Sequence, residues 1–356
     1  MRASTARRSI VVLIVLAALT ATACGGAGKS GEAQKTKEGN DKVSLLLSFL
    51  PDMIGIQYLL AEDMGHFKQC GIDFEWKSAA EVENALQLVV GGSVDYAVID
   101  PLSYVAGVHK GLPVVAIATD TPKTAVAYAS FADKGVATPA DLPGNRVGIQ
   151  PGLDSQLFLE HIIKDLPEEE RKKVKTAPVG FDLRPLLTKS VDVITLWPTN
   201  TNIAEEQAKG KKFNLIKASD YGVTVPGNVL VTTKARVEKS PDQVKRVLAA
   251  FTAGQAASLD PANSARAVDV VRKLAESDIA PEIEADIYKR VGELKQDPSW
   301  KEKGIGWNTE EAYGQAQTFL KAAGEIDKEL PVGDLFTNKF LEEINSGGFD
   351  LKKACS

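Results

Sequence analysis

The feature that most constrains the fold is a repeated alternation of short apolar runs with amphipathic helical patterns. In the first part of the chain, strand-like runs occupy residues 43–49, 72–76, 94–99 and 113–118. The helical patterns between them occupy residues 55–67, 81–90 and 102–110. Strands that alternate with helices predict a parallel sheet with helices on both faces.

A second alternation of the same kind begins near residue 120. Its strand-like runs are at 124–131, 146–150, 174–179, 191–197 and 213–216, and its helical patterns are at 154–166, 183–190 and 203–209. One more strand, 229–233, precedes helical patterns at 241–259, 262–276, 281–294, 310–323 and 338–344. The fold class predicted is therefore α/β, with two parallel-rich sheets, flanking helices and a helical C-terminal part.

The N-terminus has the pattern of an export signal. Three arginines precede an apolar run at 10–19, which is about half of the roughly 20 residues that a spanning helix needs. The run ends at Ala21-Thr22-Ala23-Cys24, which resembles a bacterial lipobox. We interpret residues 1–23 as a lipoprotein signal peptide and Cys24 as the lipidated residue. A plain secretory signal is the alternative, and the pair Arg7-Arg8 leaves the export route open.

Residues 24–41 are almost devoid of apolar side chains, which is typical of a flexible tether. With a lipid on its first residue, this tether would place the protein on the extracytoplasmic face of the cell membrane. Roughly 310 residues remain, which is more than one compact domain usually holds.

After Cys24 the chain has two cysteines, Cys70 and Cys355. An exported protein with one such pair can form a disulfide, and two unpaired thiols are the alternative. The sequence leaves both open.

Charge and catalytic residues exclude several function classes. The net charge of −5 with scattered basic residues gives no footprint for nucleic acid. The three histidines, His66, His109 and His161, form no metal-ligand spacing, and phosphate-loop or nucleophile motifs are absent from the sequence. We therefore predict no catalytic residues, no metal and no cofactor.

Polar side chains follow several of the predicted strands. Ligands in open α/β sheets bind at the carboxyl ends of strands, so these loops are the candidate binding site. The candidate residues are Pro51, Asp52, Met53, Ala80, Asp100, Gln150, Asp154, Ser155, Trp197, Thr199 and Asn200. Trp197 offers a flat apolar surface, and the absence of Arg and Lys from these loops disfavours a strongly anionic ligand. Asp100 and Asp154 are equally suited to cap the helices that follow them.

Several segments together resemble substrate-binding proteins of ABC importers for nitrate, alkanesulfonates and thiamine precursors. The segments 65–74 and 89–97 are similar to two signatures of that group. Residues 191–200, 220–222 and 335–341 are similar to its thiamine-pyrimidine-synthase-like branch.

The resemblance implies a two-lobed type II periplasmic binding protein fold with a two-strand hinge. Lobe 1 would contain residues 42–120 and 225–356, and lobe 2 residues 121–224, with the hinge near Thr119-Asp120 and Val225-Pro226. Asp120 and Asn228, beside this hinge, are two further candidate ligand-binding residues. A small molecule would be clamped between the lobes and delivered to an ABC permease and its ATPase by a monomeric binding protein.

The chain departs from that branch in two places. Thr201 stands where glutamate is common, and Asp52-Met53-Ile54 lacks the usual histidine. The ligand expected is a small nitrogen-containing heterocycle, with a nitrate or alkanesulfonate as the alternative. An exported pyrimidine-synthesis enzyme is a further alternative, but the cysteine-rich motif of those enzymes is absent from the sequence. A third is a sensor that docks to a membrane receptor.

Overall fold

The computed structural model describes residues 31–47, 52–78, 85–150, 153–180, 182–275 and 279–356. The predicted signal peptide 1–23 and three candidate residues, Cys24, Pro51 and Ala80, lie outside the described residues.

The described part of the chain forms two β-sheets. The first sheet contains β1 Gln34–Lys35, β2 Asp41–Leu47, β3 Ile72–Ser78, β4 Tyr96–Ile99, β5 Val114–Thr121 and β11 Asn228–Thr233. The second contains β6 Ala127–Phe131, β7 Arg146–Ile149, β8 Lys175–Pro178, β9 Val193–Leu196 and β10 Phe213–Lys217. We call the first sheet with its helices unit 1 and the second sheet with its helices unit 2.

The two sheets share one strand order. The order is β3-β2-β4-β11-β5 in unit 1, where β1 also pairs with β2, and β8-β7-β9-β6-β10 in unit 2. In both sheets the fourth strand runs antiparallel to its neighbours, whereas the first three are parallel. That antiparallel strand is the one reached by a crossover, because β6 follows β5 and β11 follows β10 along the chain. Each unit therefore begins or ends with a strand that enters from the other unit.

Helices cover the sheets. Those of the first part of the chain are α1 Ile56–Asp63, α2 His66–Gln69, α3 Ala85–Val90, α4 Pro101–His109, α5 Leu153–Ile162, α6 Glu168–Arg171, α7 Arg184–Leu187 and α8 Thr201–Gln207. Those that follow β11 are α9 Lys234–Lys239, α10 Pro241–Leu259, α11 Ser264–Ala275, α12 Pro281–Leu294, α13 Pro298–Lys303, α14 Glu310–Ala322, α15 Lys339–Asn345 and α16 Leu351–Ala354. Among the described residues, no helix combines the length and apolar character needed to cross a membrane.

Residues 31–41, the second part of the predicted tether, make contacts with unit 1. Strand β1 pairs with Asp41 and Lys42, and the Ser240 hydroxyl accepts the Ala33 amide and donates to the Gly31 carbonyl. These contacts use backbone groups and a hydroxyl, so the lack of apolar side chains did not reveal them. Residues 24–30, the rest of the predicted tether, lie outside the described residues.

Cys70 and Cys355 form a disulfide in the structure, with Cα atoms 4.8 Å apart. Cys70 follows α2, near the start of the fold, and Cys355 ends α16. Both helices contact α10, which explains how residues 285 positions apart meet.

One motif residue has a structural role. Asp95, in the 89–97 signature, accepts hydrogen bonds from the backbone and hydroxyl of Ser44 and pairs with the buried Arg236. Arg236 also donates to Gln243, so the carboxylate connects β2, the start of β4 and α9. Asp95 therefore links three elements of unit 1 at the end of β4 opposite the candidate loop of Asp100.

Candidate functional site

The candidate loops follow strands of both units. Asp52 follows β2 and Asp100 follows β4 in unit 1, whereas Asp154 follows β7 and Trp197 follows β9 in unit 2. The preceding strands are parallel within each sheet, so the side chains of each unit gather at one sheet edge.

Two carboxylates from different units lie close enough for their charges to interact. Asp100 precedes α4 and its carboxylate accepts the Ser103 amide at 2.8 Å, so it caps that helix. Asp154 lies in the first turn of α5, and its carboxylate accepts the Ser155 amide at 2.7 Å. Helices α4 and α5 contact each other, which brings both acids to the junction of the units.

The surroundings raise the pKa of both carboxyl groups, Asp100 and Asp154. Burial, and next the charge of Asp100, raises the pKa of Asp154 from 3.8 to about 6. Burial raises the pKa of Asp100 as well, against the hydrogen bonds from Ser103. Desolvation and a like charge both disfavour the ionised form of a carboxyl group. Asp100 and Asp154 therefore favour either protonation or a ligand group with a partial positive charge close to both carboxylates.

A second polar cluster lies beside the first crossover. The Gln57 side chain on α1 donates from Nε2 to Asp120 Oδ1 at 2.5 Å, and the Thr121 hydroxyl donates to Asp120 Oδ2 at 3.0 Å. Lys295, at the end of α12, donates to Gln57 Oε1 at 2.5 Å and to the Ile54 carbonyl at 2.7 Å. Gln57, Asp120 and Lys295 are each at most 1% exposed.

The cluster is connected to the first candidate loop. Asp52 Oδ1 accepts the amides of Ile54 and Gly55 at 2.9 and 3.1 Å. Burial raises the pKa of Asp52 to about 6, although those amides and the charge of Lys295 lower it. Burial also lowers the pKa of Lys295 to about 8, although the charges of Asp120 and Asp52 raise it.

Sequence reasoning missed Gln57 and Lys295. Gln57 lies within a predicted helix and Lys295 just after another, where a polar residue is ordinarily solvent-exposed. They are 238 residues apart, and no local pattern signals that they meet.

The loop after β9 contacts unit 1. Trp197 is half-buried and its carbonyl accepts the Asn200 amide, whereas Thr199 is buried and donates to Asn200. This turn and α8 both contact α12. The Asn202 side chain donates to the Ile283 carbonyl and to Asp286 Oδ2, both at 3.1 Å.

The remaining candidates have other surroundings. Met53 is buried in the core of unit 1, and Gln150 is buried directly after β7. Ser155 is buried, and its carbonyl accepts the Tyr128 hydroxyl at 2.6 Å. Asn228 opens β11 opposite Thr121, which places it beside the Asp120 cluster.

The described residues of the site supply acceptors and one buried cation. Three carboxylates, those of Asp52, Asp100 and Asp154, are partly exposed, and Trp197 adds an apolar ring. No group of three or more His, Cys, Asp or Glu side chains in the described ranges is arranged to hold a metal ion. Such a set suits hydrogen-bond donors on a small ligand.

Sequence comparison finds relatives of this chain among binding proteins and among pyrimidine-synthesis enzymes. The chain is 21% identical to a riboflavin-binding protein, RibY, of Chloroflexus aurantiacus over 93% of its own length and 95% of RibY. It is 26% identical to a formylaminopyrimidine-binding protein of Halalkalibacterium halodurans over 60% of this chain and 64% of the relative. A pyrimidine phosphate synthase of Saccharomyces cerevisiae, THI5, is 30% identical, but over only 25% of this chain and 26% of the enzyme.

The fold is that of a solved binding protein. The aliphatic sulphonate binding protein SsuA of Escherichia coli superimposes with a TM-score of 0.65 at 15% identity, covering 83% of this chain and 92% of SsuA. This likeness confirms the predicted type II periplasmic binding protein fold, with its two sheets and flanking helices. The family model described as "NMT1/THI5 like" matches residues 53–264. The chain therefore belongs to the NMT1/THI5-like family.

Proposed function

We propose that this protein is the substrate-binding component of an ABC importer and holds a small, flat nitrogen heterocycle between units 1 and 2. The observation that carries the proposal is that Asp100 of unit 1 and Asp154 of unit 2 lie where α4 contacts α5, close enough for their charges to interact. A ligand that donates hydrogen bonds to both carboxylates would stabilise the closed arrangement, because it would contact both units at once. The riboflavin-binding relative, which matches nearly the whole chain, and the formylaminopyrimidine-binding relative, which matches 60% of it, support the class of ligand.

Charge distinguishes this ligand from the alternatives. The described part of the site presents carboxylates to the ligand, and its one buried cation, Lys295, already donates to Ile54 and Gln57. An amino or ring N–H group, or a cation, would relieve the repulsion between Asp100 and Asp154. A nitrate or a sulfonate would increase it.

The test is a titration of the purified chain with riboflavin, a formylaminopyrimidine, an alkanesulfonate and nitrate, followed by thermal unfolding and calorimetry. We expect a heterocycle to raise Tm and both anions to leave it unchanged. Asp154→Asn should weaken the binding of that heterocycle about tenfold, as expected for a hydrogen bond to a charged group. Asp165→Asn, an exposed acid near the end of the same helical segment, is the matched control. Stabilisation by an anion alone would contradict the proposal.

The location belongs to the same proposal. We propose that lipidated Cys24 anchors the protein on the extracytoplasmic face of the membrane, where it delivers its ligand to the permease and its ATPase as a monomer. The lipobox-like sequence 21–24 supports this anchor. In cells, Cys24→Ser should move the protein from the membrane fraction to the soluble fraction or the medium. Continued membrane association of that variant would contradict the anchor, and light scattering of the purified chain tests the monomer.

The competing hypothesis is that this protein is an enzyme of pyrimidine synthesis. The match to the yeast synthase spans a quarter of the chain, whereas the match to RibY spans nearly all of it. Incubation with pyridoxal phosphate, followed by mass spectrometry for a pyrimidine product, distinguishes the two functions. A product would favour the enzyme.

A further inference from the structure

Helix α12 makes a polar contact near each of its ends. Near its N-terminus, the Ile283 carbonyl and the Asp286 carboxylate accept hydrogen bonds from Asn202 of unit 2. Just after its C-terminus, Lys295 bonds the Ile54 carbonyl in the first candidate loop. At about 1.5 Å per residue, the two contacts are roughly 15–20 Å apart.

The helix between these contacts is fixed to unit 1. Ile287, Tyr288 and Val291 are buried in the core of that unit. The Tyr288 hydroxyl donates to the Asp260 carbonyl at 2.7 Å, which fixes the helix to the end of α10. A helix held in this way moves as a rigid element, so a displacement at one end is transmitted to the other.

The charges beside Lys295 determine how its contacts are arranged. The Asp120 carboxylate requires a donor and the Lys295 ammonium requires an acceptor, so the Gln57 amide between them has only one satisfactory orientation. Lys295 thereby fixes Gln57 against the crossover strand β5. With its bond to the Ile54 carbonyl, it also fixes the loop that contains Asp52.

We propose that α12 couples the seating of unit 2 on unit 1 to the shape of the Asp52 loop, with Lys295 as the positioning residue. The inference rests on the proposed function, since closure of the two units around a ligand is its premise. When Asn202 engages α12, Lys295 is held where it orders residues 52–57. When the contact is broken, that order decreases and ligand affinity falls.

The experiment is hydrogen exchange of the ligand-free full chain, measured by mass spectrometry on peptides that cover residues 52–58 and 198–207. Asn202→Leu removes the donor with nearly the same volume, and Lys295→Met removes the ammonium. We expect each variant to speed exchange about tenfold in both peptides, including the distant one. Lys289→Met is the matched control, because Lys289 is exposed on the same helix.

The outcomes are decisive. If Asn202→Leu speeds exchange in 198–207 and leaves 52–58 unchanged, the coupling is absent and the proposal is wrong. Asn202→Leu alone supplies this test if Lys295→Met fails to fold, because Asn202 is only half-buried. In the double variant, exchange no faster than in either single variant is expected for one shared pathway.

Riboflavin and a formylaminopyrimidine serve as probes for a separate measurement. If neither binds but the exchange of both peptides is coupled, the proposed ligand class fails and the role of α12 stands. If one binds and Asn202→Leu and Lys295→Met leave its affinity unchanged, the role of α12 fails and the proposed function stands.

Discussion

Asp154→Asn should stabilise the ligand-free protein at neutral pH and have little effect in acid. The pKa of Asp154 is raised from 3.8 to about 6, so the folded state favours the protonated acid. Asparagine imitates that neutral form and keeps the oxygen that accepts the Ser155 amide. At about 1.4 kcal/mol per unit of pKa, the shift corresponds to about 3 kcal/mol. The side chain is partly exposed, so solvent screening reduces the expected gain to about 1–2 kcal/mol.

The raised pKa of Asp154 determines how the stability difference between the two proteins changes with pH. In the wild type, this group's contribution to the free energy of unfolding is complete below pH 4 and is lost as pH rises to about 6. In the variant the contribution does not change with pH. The difference between the two proteins should therefore be near zero at pH 4 and reach its full size at pH 7.

The assay is thermal unfolding of both proteins without ligand at pH 4, 5, 6 and 7. The expected gain in Tm at pH 7 is about 1.5–3 °C. Asp165→Asn, at an exposed position nearby, is the control substitution. A stability difference that stays constant from pH 4 to pH 7, or a variant less stable at pH 7, would refute a raised pKa of Asp154 in the folded state.

Substitutions at three contacts test the framework of unit 1. Cys70→Ser should lower the free energy of unfolding by about 2–5 kcal/mol through loss of the bond to Cys355, and Cys355→Ser should match it in urea unfolding. Arg236→Met leaves the Asp95 carboxylate without its cation, at about 3–5 kcal/mol, and Asp95→Asn in the same chain should recover part of the loss. Gly254→Ala places a Cβ 2.2 Å from the Gln57 carbonyl, so Tm should fall by an amount equivalent to about 1–3 kcal/mol. A Tm unchanged by Gly254→Ala would contradict tight packing of α1 against α10 at this position.

The alternation of strands and helices could be predicted from the sequence because it depends on local periodicity. The runs 94–99 and 191–197, for example, contain β4 and β9. The strand order was beyond local patterns, since β11 inserts between β4 and β5 after more than a hundred intervening residues. Short polar segments were also missed, and β1 is stabilised by backbone pairing rather than by an apolar face.

Some residues of the candidate site could be predicted from the sequence and others could not. Asp52, Asp100 and Asp154 could be predicted because they follow apolar runs, and strand ends are where α/β proteins leave polar groups free. Lys295 could not, because its burial depends on acceptors at Ile54 and Gln57 that the fold brings to it.

Most of the longer strands and helices could be located from the sequence alone, because apolar periodicity acts within about ten residues. Only the tertiary structure buries Asp52 and Asp154 and brings other charges near them, and burial is the larger cause of the rise in the pKa of each to about 6. Which groups come near each other depends on how crossover strands exchange between sheets. Desolvation and the Coulomb interaction act through space, and the order of residues along the chain does not encode distances in space.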